Sequence, residues 1–206
     1  GGSPPAFWQL LGLEPEHRFH EVIVAAWIPK LPLMLANGTI GSFEIPWGFR
    51  LDPLSAMMIL VVTGIGFLIH VYSLGYMAHD DGMARFFVYL NLFIFFMLLL
   101  IMADNLLLLF VGWEGVGLCS YLLIGFWYED QNNTIAGNKA FIVNRIGDFG
   151  FILGILLLVA ELGRQGVWTL DFAELQKHAQ MMNPATVGLI TLLLFVGAAG
   201  KSAQIP

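Results

Sequence analysis

The sequence predicts an all-α membrane protein: a polytopic bundle of five transmembrane helices with an N-terminal extramembrane β-hairpin. Three observations predict it. Of 206 residues, 58% are hydrophobic and 12% charged, half the charged share of an ordinary soluble domain. The apolar residues gather in blocks of about 20, enough to cross a hydrocarbon core as a helix. Ahead of the first block, apolar and polar residues instead alternate with period two, the mark of a half-buried strand.

Residues 1–53 read as a water-facing segment. Ser3-Pro4-Pro5 opens irregular chain, and Phe7–Leu13 suits a short surface helix. Phe19–Ile28 is β-branched and aromatic enough for a strand, and Asn37-Gly38 signals a turn. Phe43, Ile45, Trp47, Phe49 and Leu51 then alternate with Ser42, Glu44, Gly48 and Arg50. The two strands are expected to pair across the helix ends, over a connection longer than a tight turn. Pro46 confines its strand to an edge or a bulge.

Residues 54–206 form the bundle, with spans at about 54–76, 86–103, 106–127, 136–161 and 185–206. Asp52-Pro53 starts the first, proline being suited to a first helical turn. Gly64 and Gly66 weaken its middle, and His70 near its far end reads as an interfacial or hydrogen-bonded residue. Asp104-Asn105 turns the second span directly into the third, so those two are antiparallel neighbours. On the third, Glu114, Gly117, Tyr121 and Gly125 share a stripe of small and polar residues at helical spacing. In the fourth, Gly147, Gly150 and Gly154 recur at spacings that let another backbone approach closely. A short helix is expected around Asp171–Gln180. Asn183-Pro184 caps and opens the fifth span, where Pro206 should kink or break the helix just past Lys201. No Met opens the chain and its last helix reads as unfinished, so a piece of a longer protein is expected.

Four ionisable groups lie inside these spans: Glu114, Arg145, Asp148 and Lys201. An isolated charge in hydrocarbon costs at least ~2.5 kcal/mol, so each is a candidate functional residue. Arg145 and Asp148 are spaced to pair on one helix face. With a rise of ~1.5 Å per residue, Glu114 and Asp148 lie ~12 Å from the hairpin side and Lys201 ~20–25 Å from it. Glu114 and Lys201 are thus expected to share a polar cavity without touching, with Asp148 as the direct partner of Lys201. Coupled titratable groups of this kind can hold or release a proton as their geometry changes. A scaffold whose buried charges only fix helix packing is the competing reading.

Other chemistries find little support. Cys119 is the sole cysteine, which excludes an internal disulfide and an all-cysteine metal or iron–sulfur site. No paired transmembrane histidines offer haem ligation. There is no basic stripe for nucleic acid, and no signal peptide is visible.

The runs ADNLLLLF (Ala103–Phe110), GWEGVGLCSYLLIGFW (Gly112–Trp127) and GKSAQIP (Gly200–Pro206) resemble the largest antiporter-like membrane subunits of respiratory complex I, NADH–quinone oxidoreductase (chain L in bacteria, chain 5 in mitochondria). RLDPLSAMM, VTGIGFLIHVYS, ARFFVYLNLF and NRIGDF also fit, so the resemblance covers about Arg50 to Pro206. It implies a bundle with two inverted repeats, each containing a broken helix, that moves protons and bears no redox centre. By resemblance, Glu114 is the first-repeat glutamate, Lys201 the broken-helix lysine and Asp148 the aspartate that can pair with it; Arg145 is the ion-pair candidate from spacing alone. The implied partners are other membrane subunits of complex I, the lipid bilayer, protons and internal water. NADH, FMN, iron–sulfur clusters and quinone would be bound by other subunits, leaving no cofactor or metal in this chain. The implied place is the bacterial plasma membrane or mitochondrial inner membrane. A raw lysine and arginine count would put the hairpin in the cytoplasm, whereas the resemblance puts it on the opposite side and is followed here. A multi-subunit sodium/proton antiporter subunit is the runner-up.

Overall fold

The structure, a computed structural model, describes residues 20–34 and 40–204. The expected helix Phe7–Leu13 and the kink at Pro206 lie outside the described residues. Strands β1 (His20–Met34) and β2 (Ile40–Leu51) form an antiparallel hairpin. Strand β1 runs six residues beyond the Ile28 end expected from sequence, through Pro29 and Pro32. It does so because the pairing shifts register between Ile23 and Ala25, between Ala26 and Ile28, and between Ile28 and Leu31. Such bulges absorb residues that cannot complete a regular ladder. On β2 the period-two pattern turns Ile45 fully inward with Phe43 in the same cluster, while Trp47 and Phe49 pack against Leu99, Ala103 and Leu108.

Five long helices follow, each long and apolar enough to cross a membrane. Helix α1 (Pro53–Tyr76) starts on a capping box in which Asp52 accepts from the Ser55 amide and Ser55 from the Asp52 amide. Helix α2 (Met83–Met102) starts three residues earlier than the sequence suggested. Helix α3 (Leu106–Ile124) starts on Asn105, whose side-chain oxygen accepts from the Leu108 amide at 2.9 Å. It ends before Trp127, with Gly125 as its C-cap. Helix α4 (Gln131–Arg164) is longer than the predicted span because Asp130 caps it well before the apolar run begins. At ~1.5 Å per residue its 34 residues extend ~50 Å, well beyond a ~30 Å hydrocarbon core. Helix α5 (Phe172–His178) continues into a single 3-10 turn, Ala179–Met181. Helix α6 (Pro184–Ser202) opens on the Asn183 cap with Pro184 in its first turn.

Two features hold the charged region in place. Helices α4 and α6 cross where glycine meets glycine: a Cβ added at Gly147 would lie 3.2 Å from the Gly200 Cα and 3.3 Å from the Val196 carbonyl oxygen. A spacing this close is possible only because both positions lack side chains, and it fixes the height of α6 against α4. At the other end, the buried Asn105 joins the α2–α3 turn to the hairpin, donating to the Pro46 carbonyl at 3.0 Å. The apolar core between them is formed by Leu106 of α3, Phe151, Ile155 and Leu158 of α4, and Ile190 of α6, beneath Ile45 of β2.

Candidate functional site: a row of charges between three helices

Helix α3 places Trp113 and Glu114, α4 places Arg145 and Asp148, and α6 places Lys201 in its last turn. All four charges predicted from sequence come together where these three helices meet, but their pairing differs from the expectation. Arg145 reaches across to Glu114, its Nη1 donating directly to the Glu114 carboxylate. The same Nη1 lies 3.9 Å from Asp148 Oδ2 on its own helix. The spacing argument saw only the neighbour three residues on; the rotation of α4 against α3 turns the guanidinium to the other acid. Arg145 also lies over the Phe141 ring, 4.7 Å from its centroid, an additional cation–π contact.

Asp148 is 2% exposed, and a buried carboxylate needs donors. Trp113 supplies one: its Nε1 donates to Asp148 Oδ1 at 2.6 Å. The indole is held flat against Phe151, 5.3 Å between centroids. Lys201 does not pair with Asp148. Among the described residues it makes no ion pair; its Nζ donates to the Trp113 carbonyl at 2.9 Å and lies 5.4 Å from the Trp113 ring centroid. The expected direct contact is replaced by a bridge, with one residue meeting Asp148 through its side chain and Lys201 through its backbone. Gly117 makes the bridge possible, since a Cβ there would sit 3.0 Å from Lys201 Nζ. Glu114 and Lys201 form no ion pair with each other.

Sequence reading thus missed Trp113. The signal for Trp113 was available: a tryptophan inside an apolar helix has an N–H that seeks a partner when buried. Gly117 was noticed only as part of the small-residue stripe.

The charges alternate along the row: Glu114 negative, Arg145 positive, Asp148 negative, and Lys201 positive beyond the indole. Opposite neighbours offset part of the desolvation that each would suffer alone. A cavity of about 380 Å³ opens beside Glu114 and Arg145, walled by Phe96, Phe110, Leu118 and Phe141. At ~30 Å³ per water it has room for several. The Glu114 Oε1 oxygen is buried and has no hydrogen-bond partner among the described residues. Just past Lys201 the helix stops: Ala203 takes a left-handed conformation (φ 50°) and the Gln204 amide turns back to the Ala199 carbonyl. The lysine therefore sits at the carbonyl end of a helix, where the backbone dipole favours a cation. Among the described residues, the only three His, Cys, Asp or Glu side chains close enough to share an ion lie elsewhere, at Glu21, Asp104 and Asp171.

Comparison with known proteins gives a consistent result. Residues 103–206 match the family described as "NADH:quinone oxidoreductase/Mrp antiporter, TM", and residues 38–87 match "NADH-Ubiquinone oxidoreductase (complex I), chain 5 N-terminus". NADH-quinone oxidoreductase subunit L of Escherichia coli is 48% identical over 171 residues, 82% of this chain and 27% of that protein. Subunit L of Mycobacterium tuberculosis is 43% identical over 197 residues, 96% of this chain and 29% of that protein. Among solved structures, the Mrp complex from Dietzia sp. DQ12-45-1b superposes with a TM-score of 0.68 at 26% identity, covering 86% of this chain and 18% of that one. The chain spans about a quarter of the length of the curated relatives it matches. With five apolar helices and these likenesses, it is an integral, multi-pass membrane protein.

Proposed function

The chain belongs to the NADH:quinone oxidoreductase/Mrp antiporter transmembrane family, and on that premise we propose that it is part of a proton-translocating membrane subunit of NADH–quinone oxidoreductase. The observation that carries the reading is the alternating row Glu114–Arg145–Asp148 with Lys201 beyond Trp113, set inside helices long and apolar enough to cross a membrane. In this role Glu114, Asp148 and Lys201 exchange protons through water, and Arg145 sets which carboxylate is neutralised. As Arg145 leaves Glu114 for Asp148, the negative charge available to Lys201 falls; as it returns, that charge is restored. The indole cannot relay a proton at ordinary pH, so passage between Asp148 and Lys201 requires water beside it.

In this proposal the subunit works among other membrane subunits of the complex and holds no redox centre; NADH, FMN, iron–sulfur clusters and quinone belong to its partners. A second reading, a subunit of a sodium/proton antiporter of the Mrp kind, draws on the structural likeness to the Dietzia complex. Higher identity to the subunit L relatives, over a similar share of this chain, favours the first.

The test is made in the intact complex. Glu114→Gln and Lys201→Ala should each impair proton pumping while the complex still assembles. Lys201→Arg should not restore it, because arginine stays charged at any accessible pH. Pumping that depends on sodium would favour the antiporter reading. Full pumping by an assembled Glu114→Gln, Lys201→Ala double variant would leave only the scaffold.

A further inference from the structure

Away from the charge row, three carboxylates from three separate elements converge beneath the hairpin. Glu21 is the second residue of β1, Asp104 lies in the α2–α3 turn, and Asp171 caps α5. Each can offer an oxygen to one ion, and these oxygens all lie within 4.8 Å of one another. We propose that Glu21, Asp104 and Asp171 form a calcium site that fastens the hairpin to the helix ends.

Coordination geometry favours calcium. Calcium takes about six to eight oxygens at ~2.3–2.6 Å in flexible arrangements, whereas magnesium demands near-ideal octahedral geometry at ~2.0–2.1 Å. Carboxylates held by three separate elements, with Asp104 and Asp171 each already accepting a bond elsewhere, suit the more tolerant ion. Asp104 supplies the independent sign of a missing ligand. It is 1% exposed. One of its oxygens accepts from the Asn105 side-chain amide at 2.5 Å, while Oδ2 is buried and has no hydrogen-bond partner among the described residues. A buried anionic oxygen left without a donor is costly. This oxygen is turned to the hairpin: of the Asp104 atoms it lies nearest to where a Cβ on Gly48 would be. The strand register pairs Ile23 with Gly48 and Glu21 with Arg50. Alternation then puts Glu21 on the same sheet face as Gly48, the face that Asp104 meets.

The frame is already assembled around the site. The Leu106 amide donates to the Leu170 carbonyl at 3.0 Å and the Phe172 amide to the Asp104 carbonyl at 3.1 Å. Asp171 spends one oxygen on the Glu174 amide at 2.9 Å. Glu21 is exposed, which leaves an approach for the ion and for the waters that complete its shell.

Calcium is the probe, used on the purified complex containing the full-length subunit, stripped with chelator and re-equilibrated with labelled calcium at up to 1 mM. The wild type should bind one more calcium per complex than Asp104→Asn or Glu21→Gln. Calcium, and not equal magnesium, should slow proteolysis of the hairpin at least several-fold in the wild type alone. If Asp104→Asn does not assemble, Glu21→Gln decides the matter, since its side chain is exposed. Equal calcium stoichiometry in wild type and Glu21→Gln would overturn the proposal. So would hairpin proteolysis that is the same in calcium, magnesium and chelator, the result expected if the carboxylates merely share protons.

Discussion

The α4–α6 crossing allows a sharp test of how packing governs the site. In Gly147→Ala the new Cβ would lie 3.2 Å from the Gly200 Cα, 3.3 Å from the Val196 oxygen and 3.4 Å from the Gly197 oxygen, all main-chain atoms that cannot rotate away. Carbon atoms prefer ~3.5–4.0 Å, so α6 must retreat by ~0.3–0.8 Å. Lys201 follows Gly200 directly and would carry that displacement. Its 2.9 Å bond to the Trp113 carbonyl would then stretch to ~3.2–3.7 Å, to or past the limit of a hydrogen bond. Overpacking of this kind costs ~1–3 kcal/mol in stability. If a displacement of 1 Å costs ~100-fold in a positioned reaction, half of that costs ~10-fold. The assay is proton uptake by proteoliposomes holding the assembled complex, with assembly checked on native gels. Gly64→Ala on α1 is the control, since a Cβ there meets nothing within 4 Å. Gly150→Ala should disturb the same crossing at least as much, because its Cβ would meet the Val196 Cγ1 at 2.9 Å, the Val196 Cβ at 3.1 Å and the Leu193 carbonyl oxygen at 3.3 Å. A Gly147→Ala complex that assembles and pumps like wild type would refute the claim that this crossing sets the lysine's position.

Two other predictions concern the ends of the bundle. Asn105→Ala removes both the α3 cap and the link to Pro46; it should cost ~1–2 kcal/mol for the cap alone, read as faster hydrogen exchange at the Leu108 amide. At the opposite end, the Trp127 indole and the Gly82 amide donate to Asp80 and hold its carboxyl below the usual aspartate range. A lowered pKa means the bond contributes fully above the ordinary aspartate value of 3.8 and is lost as pH falls through the lower folded value. The Trp127 fluorescence should therefore change only below about pH 4, and Asp80→Asn should abolish that transition.

The four charges within the spans were legible in the sequence because a charge inside an apolar run stands out against its surroundings. Their partners were not. Spacing along one helix relates Arg145 to Asp148, whereas the choice of Glu114 depends on how α3 and α4 are rotated against each other. The resemblance made Asp148 the partner of Lys201, yet Trp113 bridges the two, meeting Asp148 with its indole and Lys201 with its carbonyl. The Asp52 and Asn183 caps, each followed by proline, gave helix starts that periodicity alone leaves vague. The length of β1 was hidden because Pro29 and Pro32 look like strand breakers until a partner with bulges is present. Asp104 and Asp171, distant in sequence and unremarked there as a pair, meet only because the α2–α3 turn pairs with the loop before α5.

The acceptor of Lys201 is a peptide carbonyl, not a side chain, and that alters how the site can be edited. No codon change at position 113 deletes this acceptor, so a side-chain scan would score Trp113 only for its indole. What a genetic screen can reach is the vacancy that admits the ammonium: any residue larger than glycine at 117 intrudes on Lys201 Nζ. Half of this contact is thus written in the genetic text as a blank. Its loss would register at a glycine that carries no charge and donates no proton, and replacing the Trp113–Glu114 peptide link with an ester, which weakens the carbonyl as an acceptor, is the way to perturb it directly.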